Sequence, residues 1–267
     1  MWNILHIVVF TMRILVISDI HGNYEALKTV LDRVEYDYLW VLGDLVDYGP
    51  DPHLVVDTVK SLKPDIILMG NHDYAVAYRD DCRCDPSIHW LSVYTRENIS
   101  YRLLSEEQIK WLSSLERKSV RDIGGYRVMA VHGSPRNPLY GYLYPGLSDD
   151  EKLLQLTESP FALRPRPVDV DVVVHGHTHI PNTEVVKGIK LFNPGSLGQP
   201  RDGDPRASIG VIDLDKNVFE IHRIEYDVES VVKRYRDLGI EDRYLDALMY
   251  ILRKASIEGI DSSGTPI

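Results

Sequence analysis

The chain has 267 residues, 44% of them hydrophobic and 26% charged, enough apolar material for one substantial core in an ordinary globular protein. With 40 acidic against 30 basic residues its formal net charge is -10, which argues against the broad cationic surface that non-specific nucleic-acid binding requires. Two cysteines, Cys82 and Cys84, exclude a disulfide framework and suit a reducing cytosol, so a cytoplasmic location is expected; two thiols are too few for a closed metal site and read as incidental loop residues.

Residues 4–10 are apolar apart from His6, yet they lack the basic flank and small-residue cleavage site of a signal peptide. They also fall far short of the ~20 apolar residues that a membrane span needs. Because Met12 directly precedes the first strand pattern, residues 1–11 are expected to be a dispensable extension, with one domain over 12–257. Short, largely apolar runs at 13–18, 38–42, 65–69, 127–131 and 171–174 read as buried strands. Helical patterns at 23–33 and 52–62 separate the first three, the rhythm of a sheet covered by helices.

The aromatic and charged stretch at 74–115 breaks that rhythm and ends in a helix announced by the capping box Ser105-Glu106-Glu107-Gln108. It reads as a cap-like insertion over the site or as a plain helix–helix connection. A second polar excursion, 135–167, carries Tyr140, Tyr142 and Tyr144 and a short helix from Ser148; excursions of this length are often lids. Two hairpins follow, 184–187 with 189–192 around Gly188, and 207–213 with 218–223 around Asp215-Lys216-Asn217. Phe219 and Ile221 alternate with Glu220 and His222, the pattern of a half-buried antiparallel strand, so the sheet system is mixed. Apolar residues at helical spacing predict a helix pair over 228–254, and the tail at 258–267 is expected to fray.

Chemistry-bearing residues cluster just past the strand patterns: Asp19-Ile20-His21, Gly43-Asp44 with Asp47, Gly70-Asn71-His72-Asp73, His132-Gly133 and His175-Gly176-His177-Thr178-His179. Side chains there project from the carboxyl edge of a sheet, where open α/β folds place ligands. Any one of these histidines alone reads more readily as a hydrogen-bonded core or surface side chain. Together they supply enough imidazole, carboxylate and amide ligands for two metal ions. The mixture suits manganese, iron, nickel or zinc better than magnesium or calcium, which favour all-oxygen shells.

In this order the clusters resemble the signature of the calcineurin-like metallophosphoesterase superfamily, in its small prokaryotic form, over residues 13–223 or so. The resemblance implies an α/β fold, a four-layer α-β-β-α sandwich of two mixed β-sheets flanked by helices. It implies one divalent transition-metal ion held by Asp19, His21, Asp44 and His179, and a second held by Asp44, Asn71, His132 and His177, with Asp44 bridging. Two metals ~3.5–4 Å apart activate a bridging water and clamp phosphoryl oxygens. The implied activity is therefore hydrolysis of phosphate mono- or diesters by in-line attack of a metal-bridging hydroxide. His72 is left free of the metals to stabilise developing charge or to protonate the leaving oxygen. Asp47 either orients His72 or caps the helix that starts near Pro52. His175 lies outside the pattern. Asn193-Pro194-Gly195-Ser196 and Gly198-Gln199-Pro200-Arg201 resemble loops beside the metals, which nominates Ser196 and Arg201 for substrate binding; the guanidinium of Arg201 matches phosphate geometry, the alternative being an ordinary turn arginine.

Departures from the resemblance narrow the substrate. Tyr48 and Asp73 stand where the serine/threonine phosphatase branch has arginine and glutamate, which removes a phosphate-binding group. Gly49-Pro50-Asp51-Pro52 is similar to a segment of dinucleoside-polyphosphate hydrolases, but Gly-Pro-Asp is turn-forming in its own right. A nuclease would want a cationic channel that no basic run supplies, and a non-catalytic scaffold on this fold would have lost His72. The expected partner is a phosphorylated small molecule or nucleotide, with no extended nucleic acid and no membrane; oligomeric state stays open.

Overall fold

A computed structural model describes residues 12–159, 161 and 164–260. The extension expected at 1–11 and the tail residues 261–267 lie outside them. Packing continues to Ile260, which is buried among the C-terminal helices, so residues 258–260 belong to the ordered chain and not to the tail expected to fray. Among the described residues no helix is long and apolar enough to cross a membrane.

Two five-stranded sheets face each other. The first contains β1 (Arg13–Ile17), β2 (Tyr38–Val41), β3 (Ile66–Ile67), β9 (Ala207–Asp213) and β10 (Val218–Ile224), in the order β10-β9-β1-β2-β3. β1, β2 and β3 run parallel, while β9 is antiparallel to both β1 and β10. The second contains β4 (Lys118–Ile123), β5 (Tyr126–Val131), β6 (Val172–Val174), β7 (Asn182–Val186) and β8 (Ile189–Asn193), in the order β4-β5-β6-β8-β7. Both sheets are mixed, as expected.

The two-residue period of a strand explains the layering. Ile14 and Val16 of β1 join Trp40, Val128, Val172 and Phe192 between the sheets. Leu15 and Ile17 point the other way, onto Leu27 and Val30 of α1 (Tyr24–Arg33) and Val55, Val56 and Val59 of α2 (Pro52–Leu62). Trp40 is buried to 2% exposure in the inter-sheet layer, and its truncation to alanine would cost about 3–5 kcal/mol. On the far side, Met129, Val131, Val173 and Leu191 pack under Leu143 and under Leu156 at the end of α7 (Asp149–Gln155). The order of layers is thus α, β, β, α.

The 74–115 stretch is helical for most of its length. α3 (Asn71–Tyr78) begins at the site itself; α4 (His89–Thr95) continues through a π-helical turn, Arg96–Ser100, into α5 (Tyr101–Leu103), and α6 (Glu106–Leu112) follows. Ser105 caps α6 through the anticipated box. α8 (Val228–Asp237) and α9 (Asp242–Lys254) form the C-terminal pair, with Leu248 and Ile251 packed against Leu91 and Ile99. β4 was not anticipated. Lys118, Arg121 and Asp122 interrupt its apolar pattern because it is an edge strand, half exposed and paired only with β5.

Candidate metal centre

The proposed ligands sit on loops at the carboxyl ends of β1, β2, β5 and β6 and on the first turn of α3. Several loops there adopt conformations that side chains resist. Asp19, His21, Asp44, His177 and His179 all have φ between 46° and 66°, the left-handed region, at roughly 1–2 kcal/mol each. Such strain persists only where surrounding structure enforces it, and it concentrates at functional sites. Gly43 and Gly70 permit the β2 and β3 loops to touch: a Cβ on Gly43 would meet Gly70 N at 2.4 Å, and one on Gly70 would meet Asp44 Oδ1 at 2.0 Å.

Asp73 ties these loops together. Its carboxylate accepts from the backbone N–H groups of Asp44 and Leu45, both at 2.8 Å, and of Gly70 at 2.9 Å. Burial, with Asp44 nearby, raises its pKa to about 7. Asp44 Oδ1 in turn accepts from the His72 N–H at 2.9 Å, which leaves Oδ2 directed at the histidines.

All seven proposed ligands are buried and converge. His21 Nδ1 donates to Val46 O at 3.0 Å, His132 Nδ1 to Leu42 O at 2.9 Å and His179 Nδ1 to Gln199 O at 2.6 Å. A neutral imidazole carries one N–H, so each of these rings in its neutral form turns a bare Nε2 lone pair inward, the tautomer that metal-ligating histidines use. His21 Nε2 and His179 Nε2 then face each other at 3.3 Å, a repulsive arrangement unless a cation lies with them. Asp19 Oδ1 is 3.3 Å from His179 Nε2, and Asp44 Oδ2 lies 3.3 Å from His132 Nε2 and 3.7 Å from His21 Nε2. Asn71 Oδ1 and His177 Nδ1 sit 3.0 and 3.1 Å from His132 Nε2. Asp19 Oδ1 and Asp44 Oδ2 are buried without a hydrogen-bond partner. Orphaned carboxylate oxygens among bare imidazole nitrogens fit two divalent cations, with Asp44 between Asp19, His21 and His179 on one side and His132 and His177 on the other.

The electrostatics agree for His21, His177 and His179. Burial holds His21 down to about 3 and puts His177 and His179 well below the usual imidazole range, so these rings stay neutral. Burial also disfavours charge on Asp44 and on His132, yet their mutual attraction wins: Asp44 falls well below the usual carboxylate range and His132 rises to about 9. Burial raises Asp19 to about 6. Bound cations would favour ionised Asp19 and neutral His132.

His72 stands beside this cluster, its ring 5.0 Å from that of His21. Its Nδ1 is 2.9 Å from Asp47 Oδ2, so Asp47 orients the imidazole; the helix starting at Pro52 is preceded by Asp51, and Asp47 does not cap it. Asp47 is itself held from the π-helical turn, by Arg96 Nε and Nη2 at 2.9 and 2.7 Å and by the Ser100 hydroxyl at 2.9 Å. Burial opposes the Asp47 charge, but Arg96 and His72 bring its pKa below the usual range. For His72, burial is outweighed by Cys82, Asp44 and Asp47, which raise it to about 9. Arg96 and Ser100 escaped the sequence reading because only the π-turn, a widening common at functional sites, aims both at one carboxylate.

Arg201 lines a cavity of about 340 Å³ with Tyr144 and Thr178. Its guanidinium rests on Gln199 Oε1 at 2.7 Å, and its backbone N–H reaches His179 O at 3.3 Å. Ser196 departs from expectation. It is fully buried, its hydroxyl donating to Asp19 O at 2.7 Å and accepting from Gln199 N–H at 2.8 Å, so it holds the Asp19 loop and presents nothing to a substrate. Tyr48 is buried against His21 and His72 at 5.0 and 5.1 Å between ring centroids. Tyr142 stacks on His177 at 4.1 Å and Tyr144 on Tyr142 at 5.1 Å, so part of the 135–167 excursion does cover the site. Cys82 and Cys84 do lie in a loop, but both are buried there, beside His72.

Comparison with known proteins bears directly on this centre. The calcineurin-like phosphoesterase superfamily domain matches residues 12–217. An uncharacterised protein of Methanocaldococcus jannaschii is 31% identical over 242 residues, covering 83% of this chain and 90% of its own length. The crystal structure of a metallophosphoesterase from Sphaerobacter thermophilus is 32% identical with a TM-score of 0.72, covering 92% of this chain and 99% of its own. A symmetrical bis(5'-nucleosyl)-tetraphosphatase of Buchnera aphidicola is 48% identical over 62 residues only, 21% of this chain and 23% of that protein. The domain match, the full-length relatives and the four-layer sandwich agree: this chain belongs to the calcineurin-like phosphoesterase superfamily.

Proposed function

We propose that this protein hydrolyses phosphate mono- or diesters of small molecules or nucleotides at a dinuclear metal centre. The observation that carries the reading is the set of bare Nε2 atoms of His21, His132 and His179 facing the unpartnered oxygens of Asp19 and Asp44. Asp19, His21, Asp44 and His179 would hold one ion and Asp44, Asn71, His132 and His177 the other, with manganese first among manganese, iron, nickel and zinc. Bound there, the metals supply Lewis acidity toward the phosphoryl group and acidify water.

The remaining work falls to side chains. Asp47 occupies Nδ1 of His72, which turns the other ring nitrogen toward the leaving oxygen, where it donates a proton. Arg96 and Ser100 keep the Asp47 carboxylate ionised and fixed. Arg201 grips a phosphate oxygen and Tyr142 shields His177 from water. The 74–115 segment, which supplies both supports of Asp47 and continues the helix that begins at Asn71, shapes substrate access. Partial similarity to a dinucleoside tetraphosphatase puts dinucleoside polyphosphates among the substrates to try first.

The test is a screen of manganese-reconstituted protein against phosphomonoesters, cyclic nucleotides, dinucleoside polyphosphates and single-stranded nucleic acid, repeated with iron, nickel and zinc. Turnover of at least one small phosphoester, abolished by chelation, is expected. Silence with every metal would sink the proposal in favour of a scaffold.

A further inference from the structure

Cys82 and Cys84 lie in the irregular segment between α3 and α4, flanking an exposed Arg83 in the left-handed region at φ 49°. That turn sends both thiols inward, with their Sγ atoms 3.0 Å apart. Ser92 Oγ of α4 is 3.2 Å from Cys82 Sγ and 3.5 Å from Cys84 Sγ. One ligand atom each from His72, Cys82 and Cys84 lies within 4.8 Å of the others, and all three residues are buried. The hydrolytic reading uses His72 alone of these groups.

We propose that Cys82, Cys84 and His72 form a third, inhibitory metal site for a thiophilic divalent cation such as zinc, which withdraws His72 from the leaving group. The inhibition rests on the role given to His72 above; the binding does not. A tetrahedral zinc with ~2.3 Å bonds holds two thiolates about 3.8 Å apart, so the pair must part by less than ~1 Å. Ser92 Oγ is the nearest oxygen for the fourth position. Two sulfurs and an imidazole select zinc, cadmium or cobalt and discriminate against manganese, a harder ion suited to oxygen ligands. Binding releases to solvent the proton that the thiol pair still carries and that of the His72 imidazolium, and the two thiolates neutralise the cation.

The thiol segment is also wired to the centre. Asn71 Nδ2 donates to Cys82 O at 2.8 Å, and the Tyr48 hydroxyl donates to Cys84 Sγ at 3.6 Å while its ring packs on His21 and His72. Drawing the thiols onto a metal therefore pulls on side chains of both halves of the dinuclear site.

Manganese-loaded protein is titrated with zinc while activity is followed, and with cobalt while the thiolate-to-metal charge-transfer absorbance is recorded. Expected are a two-thiolate band and a roughly hundredfold or greater loss of turnover, the scale of a disabled general acid. The double variant Cys82→Ser with Cys84→Ser should lose the band, and zinc should no longer inhibit the manganese-dependent turnover that it retains. Cys84→Ala alone should also lose the two-thiolate band; the wild-type spectrum decides the site even if the double variant does not fold. No band in the wild type, or equal zinc inhibition of a folded double variant, would overturn the proposal. A band without inhibition would uphold the site and overturn the withdrawal of His72.

Discussion

Replacing His72 with glutamine separates metal binding from proton donation. The side chain is 2% exposed, its Nδ1 lies 2.9 Å from Asp47, and it is not among the seven proposed ligands. Glutamine keeps much of the volume and retains a donor toward Asp47, which also stays paired with Arg96 and Ser100, so the fold and both metals should survive. What is lost is the acid. A positioned general acid contributes about 10²–10⁴ in rate, or roughly 2.7–5.5 kcal/mol of barrier. That loss should appear in full for an alkyl phosphoester, whose leaving oxygen needs the proton, and should shrink sharply for a nitrophenyl ester, whose leaving group departs as the anion. Steady-state kcat for the two esters, with metal content by elemental analysis, makes the comparison. Equal losses for both esters, or metal loss matching that of Asp44→Asn, would refute the division of labour between His72 and the ligands.

Asp44→Asn should empty at least one metal position, since Asp44 Oδ2 stands within 3.7 Å of the inward nitrogens of both His21 and His132; two full equivalents of bound manganese would contradict this. Arg96→Met breaks a buried ion pair, so it should destabilise the fold by about 3–5 kcal/mol in chemical denaturation and lower kcat with little change in KM; an unchanged kcat in folded protein would remove Arg96 from the positioning of His72. Arg201→Ala should raise KM roughly 10- to 150-fold with kcat nearly intact, the value of one charge-assisted hydrogen bond, and a kcat-only effect would count against phosphate gripping. Chelated protein should be most stable near pH 6–7. His21, His175, His177 and His179 have folded pKa values below 6.5, and the hydrogen bond with Cys84 holds Cys82 down to about 4, so all five take up protons on unfolding and stability falls as pH drops below 6.5; the raised Asp19 and Asp73 offset only part, leaving a net of about three protons at ~1.4 kcal/mol per pH unit each. His72 and His132, raised to about 9, stabilise fully below 6.5 and lose that contribution as pH rises through 9. A melting temperature that climbs steadily from pH 5 to 9 would contradict these shifts.

The order of strands and ligand clusters was legible from residue patterns because a buried strand must be apolar and a metal ligand must carry a lone pair. Thus the residue patterns bound 207–213 and 52–62 correctly, and the seven proposed ligands, His72 and Asp47, all legible in the sequence, come together in the fold. β4 was illegible for the converse reason: an exposed edge strand need not be apolar. Ser196 looked available for substrate because composition does not show that its hydroxyl is already paired on both sides.

Long-range pairing accounts for the rest. Asp73 reaches back 29 residues to the Asp44 N–H, and Arg96 and Ser100 reach back 49 and 53 residues to Asp47, distances at which no local pattern carries information. The tautomers that would suit His21, His132 and His179 to a metal are set by carbonyls of Val46, Leu42 and Gln199, groups that every residue possesses and no sequence can single out. Even the two cysteines changed meaning, from incidental loop residues to a buried loop pair beside His72. Residue chemistry determined which atoms this protein can offer a metal and a phosphate. Which lone pairs face inward, and which groups hold them there, was decided by the packing of segments far apart along the chain.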